Sequence, residues 1–275
     1  GADRASAVAQ FYLVDSKGLV TTARADGDRL PAHKVPFART DVDAATSATL
    51  TTLLDVVRHV RPTALIGLSG IGGAFDEAVV RETKAHCAKP IIFALSNPTS
   101  KAEVTAADAY AWTDYSCVYA SGSPFADVAH GGTVFAPSQA NNLYIFPAVG
   151  FGATLAMAKV VSDELLLAAV EALAAATTDD ELAAGRCYPH LDRIRDASLA
   201  VSAAVVDRAR TTGIAQADDL PTGGAADTLA FVRRHAYVPE YVSRDDANSA
   251  HRDALARKAS VRTALRAAGA GGGGG

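Results

Sequence analysis

The chain is 275 residues long, 49% hydrophobic and 20% charged, which suits a folded protein with a sizeable core and excludes a disordered tail as its main character. A formal charge of -4 and a pI near 6.0, with no Lys/Arg-dense stretch, exclude the electrostatic footprint of a nucleic-acid binder. No apolar run approaches the roughly 20 residues that cross a bilayer, and the N-terminus lacks the basic, apolar and small-residue succession of a secretory signal.

Four segments read as strands from their β-branched and aromatic content and their bounding turns: residues 10–14 (QFYLV), 63–68 (TALIGL), 90–95 (PIIFAL) and 117–120 (CVYA). Each is short and almost wholly apolar, as strands covered on both faces of a parallel sheet are. Helical patterns alternate with them. Residues 46–60 carry Leu50, Leu53, Leu54 and Val57 on one face, residues 76–86 follow the second strand, and residues 105–112 open with Thr105 and Asp108 in near capping-box spacing. This alternation predicts a doubly wound, mostly parallel α/β sheet.

From Asn142 onward strands are no longer expected. Residues 144–160, 162–176, 179–185 and 191–210 read as a helical C-terminal layer, with Pro147 interrupting the first helix. Loop signals at Pro221, Gly223 and Gly224 lead to a charged stretch and then a glycine run. We expect one domain over residues 1–242, followed by a charged segment and disordered Gly-rich tail over 243–275.

The strand ends carry the chemistry. Asp15, in YLVDSKG, closes the first strand, where an acid in a dinucleotide-binding sheet accepts hydrogen bonds from the adenosine ribose. Ser16 and Lys17 add a hydroxyl and a cation suited to a 2′-phosphate; the alternative is a simple turn cap. In IGLSGIGGAF, Ser69, Gly70, Gly72 and Gly73 form a strand-to-helix turn that lets backbone N–H groups approach an anion, although steric need alone also explains such glycines. In ALSNPTS, Pro98 favours extended geometry at Asn97, so the strand can run on and present the Asn97 amide at the sheet's carboxyl edge; an ordinary turn is the alternative. ASGSPF again puts small polar residues directly after a strand. Four such ends converging on one edge would floor a pocket. Asn141 and Asn142 then precede a very apolar helix, either as site amides or as a helix cap.

The remaining polar residues read as structural. The seven histidines show no metal-ligand spacing, and there is no G-x-S-x-G elbow, Walker loop or Tyr-x-x-x-Lys pair. Cys87, Cys117 and Cys187 match neither a disulfide framework nor a zinc site, so a reducing compartment is expected. The chain opens at Gly1 with its single methionine at Met157, from which we expect further residues upstream.

LVDSKGLV, PTALIGLSGIGGAF, PIIFALSNPTSKAE, YASGSPF, QANNLYIFPAVGFG and GRCYPHL occur in this order, and from about residue 10 to about residue 241 the chain closely resembles the carboxyl-terminal NAD(P)-binding domain of malic enzymes. The resemblance implies a Rossmann-type sheet lacking its first Gly-rich βα unit. It also implies oxidative decarboxylation of (S)-malate to pyruvate and carbon dioxide, with NADP, in preference to NAD, taking the hydride and Mg²⁺ or Mn²⁺ assisting. Carried onto this sequence, Asp15, Ser16, Lys17, Lys34, Ser69, Gly70, Ile71 and Asn97 are the implied cofactor contacts, and Asn97, Asn141 and Asn142 the implied malate contacts. Lys34, in HKVPF, matches a lysine near the 2′-phosphate in NADP-using members.

The family's catalytic tyrosine and lysine, its substrate arginine, its acidic metal ligands and its first Gly-rich turn are expected upstream, on an N-terminal domain that partners this one. The full-length enzyme would be an intracellular dimer or tetramer, in the cytoplasm or an organelle such as a plastid or mitochondrion. Two other readings are a stand-alone nucleotide-binding or regulatory remnant without turnover and, less compatible with the collinear strings, another Rossmann-type dehydrogenase.

Overall fold

The computed structural model describes residues 3–237. A short helix α1 (Arg4–Val8) precedes the hairpin β1 (Val14–Asp15) and β2 (Gly18–Leu19), and α2 (Ala44–Thr49) and α3 (Leu53–Val60) follow. Strands and helices then alternate through β3 (Ala64–Gly67), α4 (Glu77–His86), β4 (Ile91–Ala94), α5 (Ala106–Trp112) and β5 (Val118–Ser121). A second hairpin, β6 (Val128–His130) and β7 (Thr133–Phe135), and the short β8 (Ser138–Gln139) complete the described strands. Beyond them lie α6 (Phe146–Leu155), α7 (Asp163–Ala175), α8 (Asp179–Ala183), α9 (Ile194–Thr211) and α10 (Ala225–His235).

The chain divides into two compact units. One comprises residues up to Leu143 with Ala174–Ile194; the other comprises Tyr144–Leu173 with the described residues from Arg195. The first holds a four-stranded parallel sheet in the order β3-β4-β5-β8. Leu65, Ile92 and Tyr119 lie in register across its first three strands, and alternation along each strand sends all three to one face. They are buried there with Val57 of α3, Val79 and Val80 of α4, and Tyr110 of α5. Each aliphatic side chain so buried stabilises the fold by roughly 1.5–3 kcal/mol. The other face is more open than the sequence suggested, with Ile66 53% and Ile91 38% exposed. In the second unit Leu155, Val206, Phe231 and Val232 form a separate core, and the Ser202 hydroxyl of α9 donates to the Ala148 carbonyl of α6.

Several expectations need correction. Residues 10–13 are not strand: β1 is Val14–Asp15, paired antiparallel with β2 and separate from the four-stranded sheet. The cause is the turn, in which the Asp15 carboxylate accepts the Lys17 amide at 2.9 Å and Gly18 takes φ +96°, so the chain reverses at once. The helix predicted over residues 46–60 is two helices. Thr52 and Asp55 make a reciprocal capping box that starts α3 afresh, with Leu50 buried in the break.

Pro147 lies in the first turn of α6 and opens that helix instead of interrupting it, since its missing N–H costs nothing there. The hairpin β6–β7, strand β8 and helix α10 were not foreseen; the loop read at Pro221, Gly223 and Gly224 is present, and α10 follows directly on Gly224, its N-cap. The expected boundary at residues 242/243, the Gly-rich tail and the end of the resemblance near residue 241 lie outside the described residues.

Candidate functional site

The loops leaving β3 and β4 at their carboxyl ends are tied together by one carboxylate. Glu103 is fully buried, and its Oε1 accepts from the Ser69 amide (3.0 Å), the Ser69 hydroxyl (2.9 Å) and the Ser96 hydroxyl (2.5 Å), while Oε2 faces the Ser96 amide at 3.4 Å. The Ser96 oxygen in turn accepts from the Gly70 amide at 2.8 Å. A side chain at Gly67 would put its Cβ 2.4 Å from the Glu103 Cδ, so the strand passes the acid only as glycine. Burial by itself would raise the Glu103 pKa; the hydrogen bonds from Ser96 and Ser69 outweigh it and hold the carboxyl below its ordinary value. The sequence reading missed Glu103. Its signal was two serines, each just past a strand, whose hydroxyls needed a shared acceptor.

Ser69, Gly70 and Ile71 are placed at this edge, but not as an anion cradle. The Gly70 N–H is committed to Ser96, the Ile71 N–H to the Ser69 hydroxyl at 3.1 Å, and the start of α4 is capped by the Asp76 carboxylate, which accepts the Val79 amide at 2.9 Å. What the loop offers outward is apolar: Leu68 is 76% and Ile71 62% exposed. Such a ledge suits the face of a flat heterocyclic ring.

Asn97 and Asn141 meet at the third strand end. The Ser123 hydroxyl donates to Asn97 Oδ1 at 2.7 Å, and Asn141 Nδ2 donates to the Gly122 carbonyl at 3.3 Å. A Cβ on Gly122 would fall 2.3 Å from the Leu95 carbonyl oxygen and 2.8 Å from Asn97 Oδ1, so this close approach requires glycine. The strand does not run on to Asn97 as expected. β4 ends at Ala94, the Leu95 amide still donates to Gly67 at 3.0 Å, and Ser96 turns inward to Glu103, which leaves Asn97 exposed on a turn. Asn142 is exposed at the start of the 3-10 turn Asn142–Tyr144.

Asp15, expected as a fourth strand end on this edge, belongs instead to the β1–β2 hairpin and is enclosed by cations. Arg24 grips it with Nη1 and Nη2 at 3.0 Å each, and Lys34 Nζ lies 2.6 Å away. Burial opposes ionisation of Asp15, but the hydrogen bonds from Arg24, Lys34 and the Lys17 amide prevail and hold the carboxyl far below the usual carboxylate range. Lys17 and Arg24 also pair with Asp26. Three cations against two carboxylates leave this cluster with one net positive charge. Ser16 is exposed in the hairpin turn. Arg24 was missed in the sequence because nothing in TTARADGDR marks it; only the folded loop brings it to Asp15.

Among the described residues, no group of three or more His, Cys, Asp or Glu is arranged to hold a metal ion. The donor set therefore does not fit a complete divalent-metal site, whereas the cation cluster and the apolar ledge do fit the phosphate and ring parts of a dinucleotide. No helix among the described residues is long and apolar enough to cross a membrane.

A parallel sheet with flanking helices, whose strand ends gather polar loops at one edge, is a Rossmann-type α/β domain. Residues 1–210 match the family model described as malic enzyme, NAD binding domain. The chain is 45% identical over 241 residues to the NADP-dependent malic enzyme of Dictyostelium discoideum, covering 88% of this chain and 42% of that protein. It is 40% identical over 249 residues to the mitochondrial NAD-dependent malic enzyme 2 of Arabidopsis thaliana, covering 88% and 40%. In structure it resembles the malic enzyme of Entamoeba histolytica, with a TM-score of 0.59 at 20% identity, covering 90% of this chain and 44% of that one. The chain belongs to the malic enzyme family and carries its NAD-binding domain. It spans about two fifths of the length of these curated relatives.

Proposed function

We propose that the chain forms the cofactor- and malate-binding part of an enzyme that oxidatively decarboxylates (S)-malate to pyruvate and carbon dioxide, with NADP as the preferred acceptor. When bound, the cofactor supplies the hydride acceptor. In this reading Asn97, Asn141 and Asn142 hold malate and the nicotinamide side, and the loop of Ser69, Gly70 and Ile71, with Leu68 and Ile71 as its apolar ledge, lies on the cofactor. Asp15, Ser16, Lys17 and Lys34 take the adenosine end. The observation that carries the proposal is the meeting of Asn97 and Asn141, far apart in sequence, at the Gly122–Ser123 turn. Mg²⁺ or Mn²⁺, and the proton-transfer tyrosine and lysine implied by the resemblance, would be held by the remainder of the enzyme, which also carries any oligomer contacts beyond this domain.

The NADP preference is supported by the net positive charge around Asp15, where a ribose 2′-phosphate bearing close to two negative charges would gain most from Lys34. Its test compares NADP with NAD binding before and after Lys34→Ala; we expect NADP to weaken selectively, and an unchanged ratio sinks the assignment. For the malate assignment, Asn97→Ala in the full-length enzyme is expected to lower kcat/KM for malate by at least about tenfold, the scale set by losing a charge-assisted hydrogen bond to the substrate. Unaltered malate kinetics would remove Asn97 from the site.

A further inference from the structure

Asp26 fills an anion seat. Its Oδ2 accepts from Lys17 Nζ at 2.5 Å, and its Oδ1 lies 2.7 Å from Arg24 Nε in an ion pair that lacks hydrogen-bond alignment, so one carboxylate lies between an ammonium and a guanidinium, both of which could pair with a phosphate monoester. The same guanidinium grips Asp15 along its other edge, which places the seat one side chain from the residue assigned to the adenosine ribose. Beside it opens a cavity of about 410 Å³, lined by Lys17, Arg24, Asp26, Arg29, Ser47 and Thr51. The Lys17 side chain is 64% and that of Asp26 23% exposed, so the carboxylate can leave into water without disturbing the core. The Lys17–Asp26 pair, with its lysine largely in solvent, is of the weak exposed kind, while Arg24, 10% exposed, is the fixed side of the seat.

We propose that Asp26 is an internal competitor for the ribose 2′-phosphate of the cofactor. It occupies the Lys17–Arg24 seat while that phosphate is absent and is displaced when it enters, which lowers affinity for a 2′-phosphorylated adenosine and leaves the unphosphorylated one unaffected. The inference rests on the reading of Asp15 as the adenosine-ribose contact, and it makes Asp26 a residue that sets how strongly NADP is preferred over NAD.

The test is calorimetric titration of the 275-residue chain with adenosine 2′,5′-bisphosphate, adenosine 3′,5′-bisphosphate and 5′-AMP, comparing the unaltered protein with Asp26→Asn, Asp26→Ala and Lys34→Ala. Both Asp26 variants should bind the 2′,5′-bisphosphate about five- to tenfold more tightly, the scale of one screened charge at contact distance, with the other two ligands within twofold of the unaltered protein. Thermal midpoints of the two variants show that the fold is intact. No gain for the 2′,5′-bisphosphate in either variant, or an equal gain for all three ligands, overturns the inference. If the Asp26 variants change nothing while Lys34→Ala selectively weakens the 2′,5′-bisphosphate, the competitor falls and the NADP reading stands. If the unaltered protein holds that ligand no better than 5′-AMP and no variant changes this, both fall.

Discussion

The two halves of the candidate site are built on opposite physical plans. At the β3, β4 and β5 ends, one fully buried carboxylate and the short hydrogen bonds it accepts from neutral donors hold loops whose strands are packed into the core. Around the β1–β2 hairpin, whose strands are two residues each, Asp15 and Asp26 meet Lys17, Arg24 and Lys34 in a partly exposed cluster. Buried hydrogen bonds are little affected by salt and costly to leave unmade; partly exposed ion pairs are screened and contribute little individually. In the proposed reading the rigid floor lies beside the reacting part of the substrate and the charged rim beside the adenosine end of the cofactor.

Glu103→Ala is expected to have the largest effect. It leaves the Ser69 and Ser96 amides and hydroxyls without their acceptor, at a cost of about 3 kcal/mol in denaturant unfolding, nearly the same at low and high salt. A cost below 1 kcal/mol would show that the floor is not held by this carboxylate. Gly122→Ala comes next. Forcing a methyl group to within 2.3 Å of the Leu95 carbonyl should destabilise by about 1–3 kcal/mol and displace Asn97, read as weakened malate binding in the full-length enzyme. Stability equal to the unaltered protein would show that the loops part easily there.

At the rim the effects are smaller. Arg24→Gln should cost about 1 kcal/mol at low salt, because Lys34 still faces Asp15, and the cost should shrink in 1 M NaCl. A salt-independent loss would erase the distinction between the two halves. The pH dependence follows from carboxyls whose folded pKa values lie below their unfolded ones: Asp15, Glu103 and also Glu181, held at about 2 against burial by the His190 and Thr178 amides and by Arg193. A depressed folded pKa contributes stability that is present above the unfolded value, near 4 to 4.5, and is lost as pH falls through the folded value. Acid unfolding should therefore set in below about pH 4.5, and Asp15→Asn should flatten part of that slope. A chain whose stability is level from pH 5 to pH 2 would contradict the assignment.

What was legible in the sequence follows the same division. Strands β3, β4 and β5 were readable because each is a short apolar run closed by glycine, serine or asparagine, and residues 76–86 and 105–112 were readable as helices that follow strands, the second with Thr105 as its cap. Asn97 and Asn141 were readable as candidates, although not the Gly122 turn that joins them. The hairpin strand was misjudged because QFYLV has a strand's composition while the turn after Asp15 decides its pairing. Glu103 and Arg24 were missed because a charged residue among others gains its meaning from partners that only the fold brings to it: Ser69 and Ser96 for Glu103, Asp15 for Arg24.

The open flank of the sheet has a consequence of its own. Among the described residues β3 has a single strand neighbour, with Ile66 exposed on it and Leu68 exposed just past its end. A row of unmatched peptide groups beside bare aliphatic side chains is adhesive, a template on which another extended backbone can grow. A lysine in place of Ile66 is expected to blunt that growth, read as a higher solubility limit for the 275-residue chain.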